Sequence, residues 1–89
     1  MSQQILDLIK QGAVVVDVRT PEEFRMGSNP KSINIPLDQL SQKAKTLKPE
    51  ATLLLCCASG ARSGVGVTLL KGFGFKAVYN AGPWENTVT

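Results

Sequence analysis

The 89-residue chain contains no histidine. That absence removes Ser-His-Asp and Cys-His catalysis, histidine acid–base work and most zinc sites, so any chemistry must run on other groups, with no metal and no cofactor expected. Aromatic residues are scarce, with one Trp and one Tyr, and no run of like charges exceeds a dipeptide although 10 Lys and Arg stand against 7 Asp and Glu. A nucleic-acid module would cluster its basic residues and interleave aromatics. No nucleic-acid partner is therefore expected, while the net charge of +3 still suits small anions. No apolar run reaches the roughly 18 residues of a membrane-spanning helix, and Met1 to Lys10 lacks the basic and apolar regions of a signal peptide. The two cysteines, Cys56 and Cys57, are adjacent, an arrangement that strains the peptide between them and almost never makes a structural disulfide. A reduced, cytoplasmic protein without membrane contact is expected.

What is present reads as one domain over residues 1–89, strands alternating with helical segments. Gln3 to Lys10 places Ile5, Leu6, Leu8 and Ile9 on one stripe, with Gly12 where a C-terminal cap belongs. Ala13 to Val18 is a β-branched run suited to a strand buried on both faces. Thr20-Pro21-Glu22-Glu23 supplies an N-cap, a proline at the first helical position and a capping-box glutamate for a helix ending at Gly27. Ser28 to Ser32 reads as loop, Ile33 to Ile35 as a short strand, Asp38 to Leu47 as a helix and Thr52 to Cys56 as a central strand. From Ser63 a helix is expected with Val67, Leu70 and Phe73 on its buried face, then a strand over Ala77 to Tyr79. Asn80 to Thr89 is turn-rich and gives no clear element. The alternation predicts an α/β fold on a small, mostly parallel sheet with helices on both faces, and ligands at the carboxyl ends of its strands.

Directly after the central strand and before a helix stands Cys57-Ala58-Ser59-Gly60-Ala61-Arg62-Ser63. A loop of small residues can curl its backbone N–H groups inward as an anion-binding nest. The helix N-terminus and the Arg62 charge add to it, and all three favour thiolate over thiol. Cys57 is the candidate nucleophile, Cys56 a buried apolar side chain. Ser63 is expected both to cap the helix and to belong to the loop. Arg19 and Glu23, four residues apart across the strand-to-helix turn, are placed to pair, leaving Asp17 to touch the loop or Arg62. Trp84 and Phe24 read as core or pocket wall.

Asp17 to Phe24, then Ile33-Asn34-Ile35-Pro36, then Cys57-x-x-Gly60-x-Arg62-Ser63, then Val78-Tyr79-Asn80-Ala81-Gly82-x-Trp84 together resemble a single-domain rhodanese across nearly the whole chain. The resemblance implies a rhodanese-like fold and sulfurtransferase activity by double displacement. Cys57 would take sulfane sulfur from a donor such as thiosulfate, or from a protein persulfide, and pass it as a persulfide to cyanide or a thiol. Residues 58 to 62 would line its cradle with N–H groups, and Asp17 and Arg19 would support it. The family's Gly-His-Ile-x-Gly-Ala after the Glu-Phe helix is replaced by Gly27-Ser28-Asn29-Pro30-Lys31-Ser32, so this loop is expected to be reshaped. Ala58 stands where many relatives carry a cationic or bulky residue, leaving Arg62 as the loop's only charge.

Two other readings compete. Counted from Cys56, Cys-x-x-x-x-x-Arg62-Ser63 outlines a cysteine-dependent phosphatase or arsenate reductase of the same fold, although Gly60 falls in the wrong place for that register. The third is a non-catalytic rhodanese-like module that binds a partner or senses oxidants through Cys57.

Overall fold

The computed structural model describes residues 3–89. Met1 and Ser2, part of the segment read for a signal peptide, lie outside the described residues. The elements run α1 (Gln3–Lys10), β1 (Val14–Asp17), α2 (Pro21–Met26), β2 (Ile33–Asn34), α3 (Leu40–Lys43), β3 (Thr52–Cys57), α4 (Ala61–Gly72) and β4 (Ala77–Pro83), with single 3-10 turns at Leu37–Gln39, Ala44–Thr46 and Trp84–Thr87. All strand pairings are parallel, in the order β2-β1-β3-β4. From β1 the chain crosses outward to β2 and then returns to the other side for β3. That reversal opens a crevice at the carboxyl ends of β1 and β3, the position where open parallel sheets bind ligands.

Successive residues of a strand face opposite sides, and this alternation divides the core. Val16, Leu53, Leu55 and Cys57, with Val78 beside them in the sheet, pack with Leu40, Leu70 and Phe75. Val15, Leu54 and Cys56 cluster with Ala81 of the same sheet, with Ile5, Leu8, Ile9 and Trp84 packed against them. The two neighbouring cysteines thereby enter different cores. Gly66 lets α4 lie close on β3, since a Cβ there would come 2.7 Å from Leu55 Cδ2 and 3.1 Å from Leu40 Cδ2.

Several expectations are met and four need correction. Thr20 caps α2 as predicted, its hydroxyl accepting the Glu23 N–H while the Glu23 carboxylate accepts the Thr20 N–H. The helix expected over Asp38 to Leu47 is instead one α-helical turn between two 3-10 turns. Its buried anchors, Leu40 and Ala44, are served by that turn, and tighter i→i+3 bonds finish each end. Helix α4 starts at Ala61, and its N-cap is Gly60 at φ 104° with no side-chain cap bond, so Ser63 is a third-position residue and not the cap. Phe73 lies past the end of α4 and is 52% exposed, whereas Ser63, Gly66 and Leu70 are the buried positions. Finally, β4 runs on to Pro83. A bulge beside Leu55 and Cys56 pairs Leu55 with Asn80 and Cys56 with Gly82, leaving Ala81 as the extra residue.

The loop after α2 is organised by Asn29, which is buried. Its Nδ2 donates to Thr87 O at 3.0 Å and to Thr87 Oγ1 at 3.1 Å, while Asn29 Oδ1 accepts the Lys31 N–H and Asn29 O accepts the Ser32 hydroxyl. The asparagine's Nδ2 thus ties the loop to the C-terminal turn, while its two oxygens hold the loop to itself through Lys31 and Ser32. Among the described residues, no helix is long and apolar enough to cross a membrane.

Candidate active site

The carboxyl end of β3 delivers Cys57 to the crevice, and α4 begins four residues later. Between them the chain must reverse direction, which the left-handed Gly60 permits; a Cβ there would also meet Gly82 Cα at 3.2 Å. The turn brings Gly60 N to 3.0 Å and Ser63 N to 3.4 Å from Cys57 Sγ, both donating. Ser63 Oγ stands 3.5 Å from the same sulfur. Cys57 is only 1% exposed, so the sulfur sits at the floor of the loop, with Ala58 and Ser59 exposed at its rim.

Burial alone pushes the Cys57 thiol up. The Ser63 hydroxyl and the N–H groups of Ser63, Gly60 and Ser59 outweigh it, and the pKa falls to about 7 from an ordinary 9.0. Of the amides of residues 58 to 62 expected to line the cradle, that of Gly60 donates a hydrogen bond to the sulfur, and the second backbone donor is Ser63, one residue beyond that range. Ala61 N instead donates to Ser59 Oγ, closing the rim on itself. Cys56 is the opposite case: fully buried on the other face of the sheet, its thiol is pushed to about 12 by burial, with the nearby Asp17 charge adding to the effect. A nucleophile counted from Cys56, as the phosphatase outline requires, would point away from the loop.

Arg62 reaches back to α2. Its Nη1 and Nη2 donate to Glu23 Oε1 and Oε2 at 2.7 and 2.9 Å, a bidentate pair between residues 39 apart in sequence. The Arg62 charge expected to help favour the thiolate is thus answered by Glu23: the Ser63 hydroxyl and the backbone amides do most of that work, although Arg62 still feels the Cys57 charge. The expected Arg19–Glu23 side-chain pair is likewise not formed. Arg19 Nη1 donates only to the Glu23 backbone carbonyl, at 3.4 Å. The reason lies two residues back, at the end of β1, where the buried Asp17 carboxylate accepts Arg19 N, Nε and Nη2 at 2.8 to 3.1 Å. Arg19 Nη2 also donates to Gly27 O at 2.8 Å, and its guanidinium lies 5.1 Å from the Trp84 ring centroid. Asp17 touches neither the loop nor Arg62 through a hydrogen bond. Asp17 and Arg19 act as a brace that fixes the end of α2, and with it Glu23.

Sequence reasoning passed over Asn80. The β4 bulge sends its side chain toward the N-terminus of α4, where Nδ2 donates to Gly60 O at 2.9 Å and Oδ1 accepts Ser63 Oγ at 2.7 Å and Gly82 N at 2.9 Å. Asn34 is a second such residue, its Nδ2 holding the carbonyls of Asp17 and Arg19 at 3.0 Å each. Each had one visible signal, an amide side chain within a predicted strand, for Asn34, or directly after one, for Asn80. Among the described residues no group of three His, Cys, Asp or Glu side chains is placed to hold a metal ion.

What this arrangement can do is bounded by its atoms: one sulfur held near neutrality, amides aimed at it, and a hydroxyl that can donate to it. Comparison with known proteins agrees with that chemistry. The chain is 36% identical over 93 aligned residues to thiosulfate sulfurtransferase 18 of Arabidopsis thaliana, covering 89% of this chain and 68% of the plant protein. It is 35% identical to the uncharacterized protein YqhL of Bacillus subtilis, the match covering 76% of this chain and about half, 54%, of that protein's length. The human single-domain sulfurtransferase TSTD1 superposes with a TM-score of 0.81 at 25% identity, covering 93% of this chain and 88% of the human one. A family model for the rhodanese-like domain matches residues 1–85. With that match spanning nearly the whole chain, the chain belongs to the rhodanese-like domain family.

Proposed function

We propose that this chain is a sulfurtransferase that carries sulfane sulfur as a persulfide on Cys57, without metal or organic cofactor. One observation carries the reading: the Cys57 sulfur lies at the floor of a loop whose Gly60 and Ser63 amides donate to it. Burial as a small apolar side chain gives no reason for that geometry, whereas a sulfur that must attack as a thiolate and depart again as one needs it.

With thiosulfate as donor, the Cys57 thiolate attacks the outer sulfur, the donor's S–S bond breaks, and sulfite leaves with the electron pair. The new S–S bond at Cys57 leaves its negative charge on the terminal sulfur. A thiolate or cyanide acceptor then attacks that terminal sulfur and the Cys57 thiolate departs. Ser63 follows the change of charge. Opposite a thiol its hydroxyl donates to Asn80 Oδ1; opposite a thiolate it turns toward sulfur, both acceptors being within 3.5 Å. Donor and acceptor thus use one site in turn, and initial-rate plots against the two should be parallel. A small anionic sulfur donor or a protein persulfide fits this scheme, in the reducing cytoplasmic setting that two free cysteines suit.

The deciding experiment is the mass of the reduced protein after incubation with thiosulfate. Gain of one sulfur atom, lost in Cys57→Ser and kept in Cys56→Ala, is the expected result. An unmodified thiol would assign the chain to the binding or redox-sensing class instead.

A further inference from the structure

Arg62 is the only cation of the Cys57 loop, and the fold already answers its charge. Both oxygens of the Glu23 carboxylate engage both terminal nitrogens of the guanidinium, at 2.7 and 2.9 Å. The same carboxylate accepts the Thr20 N–H at 3.0 Å and the Thr20 hydroxyl at 3.1 Å, so the capping box of α2 locks it in place. Arg62 and Glu23 side chains are 38% and 37% exposed, which sets the pair at the solvent margin and not in the core. Ala58, Ser59, Gly60 and Ala61 carry no charge. An anion approaching Cys57 therefore meets a neutral ion pair, and to use Arg62 it must displace a bidentate carboxylate.

We infer that Glu23 is a specificity-determining residue, cancelling the Arg62 charge and turning the site toward sulfur donors of low net charge, organic persulfides, in preference to dianionic thiosulfate. The inference rests on the sulfurtransferase reading above. The Arg62 hydrogen bonds, helped by the Thr20 N–H, hold the Glu23 carboxyl down to about 2, so the cancelling charge is present at every working pH. With an organic persulfide R–S–SH the Cys57 thiolate attacks the outer sulfur and forms a new S–S bond. The donor's own S–S bond breaks and RS⁻ leaves with the electron pair, one negative charge standing on each side of the step. Nothing in it requires a second cation, whereas the dianion gains from one.

The test compares kcat/KM for thiosulfate and for cysteine persulfide, with one thiol acceptor, in wild type and Glu23→Gln. Glutamine keeps a side-chain oxygen for the Thr20 N–H and preserves the capping box. Thiosulfate should gain about tenfold at low ionic strength, and cysteine persulfide should change less than about twofold. The gain should shrink with added salt and vanish in an Arg62→Ala background. Equal changes for the two donors, or a gain that survives without Arg62, would overturn the inference. Wild type alone gives an arm independent of any variant's folding, since a thiosulfate kcat/KM equal to or above that for the persulfide also overturns it. Failure of the sulfurtransferase reading is seen separately, as absence of added sulfur on Cys57 with either donor, and would remove this inference with it.

Discussion

Cys57 is held by opposing effects of known sign. Burial favours its neutral form, and the Ser63 hydroxyl with the surrounding amides favours the anion strongly enough to bring the pKa to about 7. Sulfur loading should accordingly rise with pH through about 7 and level off above it, because only the thiolate attacks. Ser63→Ala removes the hydroxyl and keeps the Ser63 amide, so the midpoint should move up toward the ordinary 9.0, slowing loading several-fold at neutral pH. The pH dependence of the alkylation rate measures it, and an unmoved midpoint would contradict the role given to the hydroxyl. Cys56→Ala should retain loading while costing about 1–2 kcal/mol of stability, as loss of a small buried group does. The Cys57 loop was readable because each of its parts is local: small residues, a strand before, a helix after. Asn80 and the Arg62–Glu23 pair were not, because both depend on elements distant in sequence being brought together by the sheet.

At the scale of elements, two turns bear most of the site's geometry. Gly60→Ala places a side chain at φ 104° against Gly82 Cα. It should cost about 1–3 kcal/mol in denaturant unfolding and slow sulfur loading, since relaxing the strain swings the Gly60 N–H away from Cys57. Asn29→Ala strips two hydrogen bonds from Thr87 and should cost about 1–3 kcal/mol with loading chemistry preserved, Asn29 having no contact with the sulfur. The capping box and the β-branched first strand were legible because propensity, pattern and packing agree there. The segment from Asp38 to Leu47 was not, its apolar spacing being equally well served by one α-helical turn between 3-10 turns. Ser63 resembled a cap by residue type, but the left-handed Gly60 starts α4 earlier and frees Ser63 to face the sulfur. The β4 bulge left no mark in the sequence, since Ala81 and Gly82 satisfy either register.

For the molecule as a whole, the lowered Cys57 pKa links the site to folding. The folded chain binds that proton less tightly, at about 7, than the ordinary thiol at 9.0. The resulting stabilisation is full above the higher value, declines as the pH falls, and is gone below the lower one. Relative to Cys57→Ser, the unfolding free energy of wild type should therefore increase by about 2 kcal/mol between about pH 6 and about pH 8.5, and a flat difference would contradict it. The parallel sheet sets a further limit through its alternation of faces. Because Cys56 and Cys57 enter separate cores, Cys57 has no resolving thiol among the described residues. Once an oxidant converts it to a sulfenic acid, repair must come from a thiol other than Cys56, and peroxide without such a reductant carries the side chain on to irreversible oxidation.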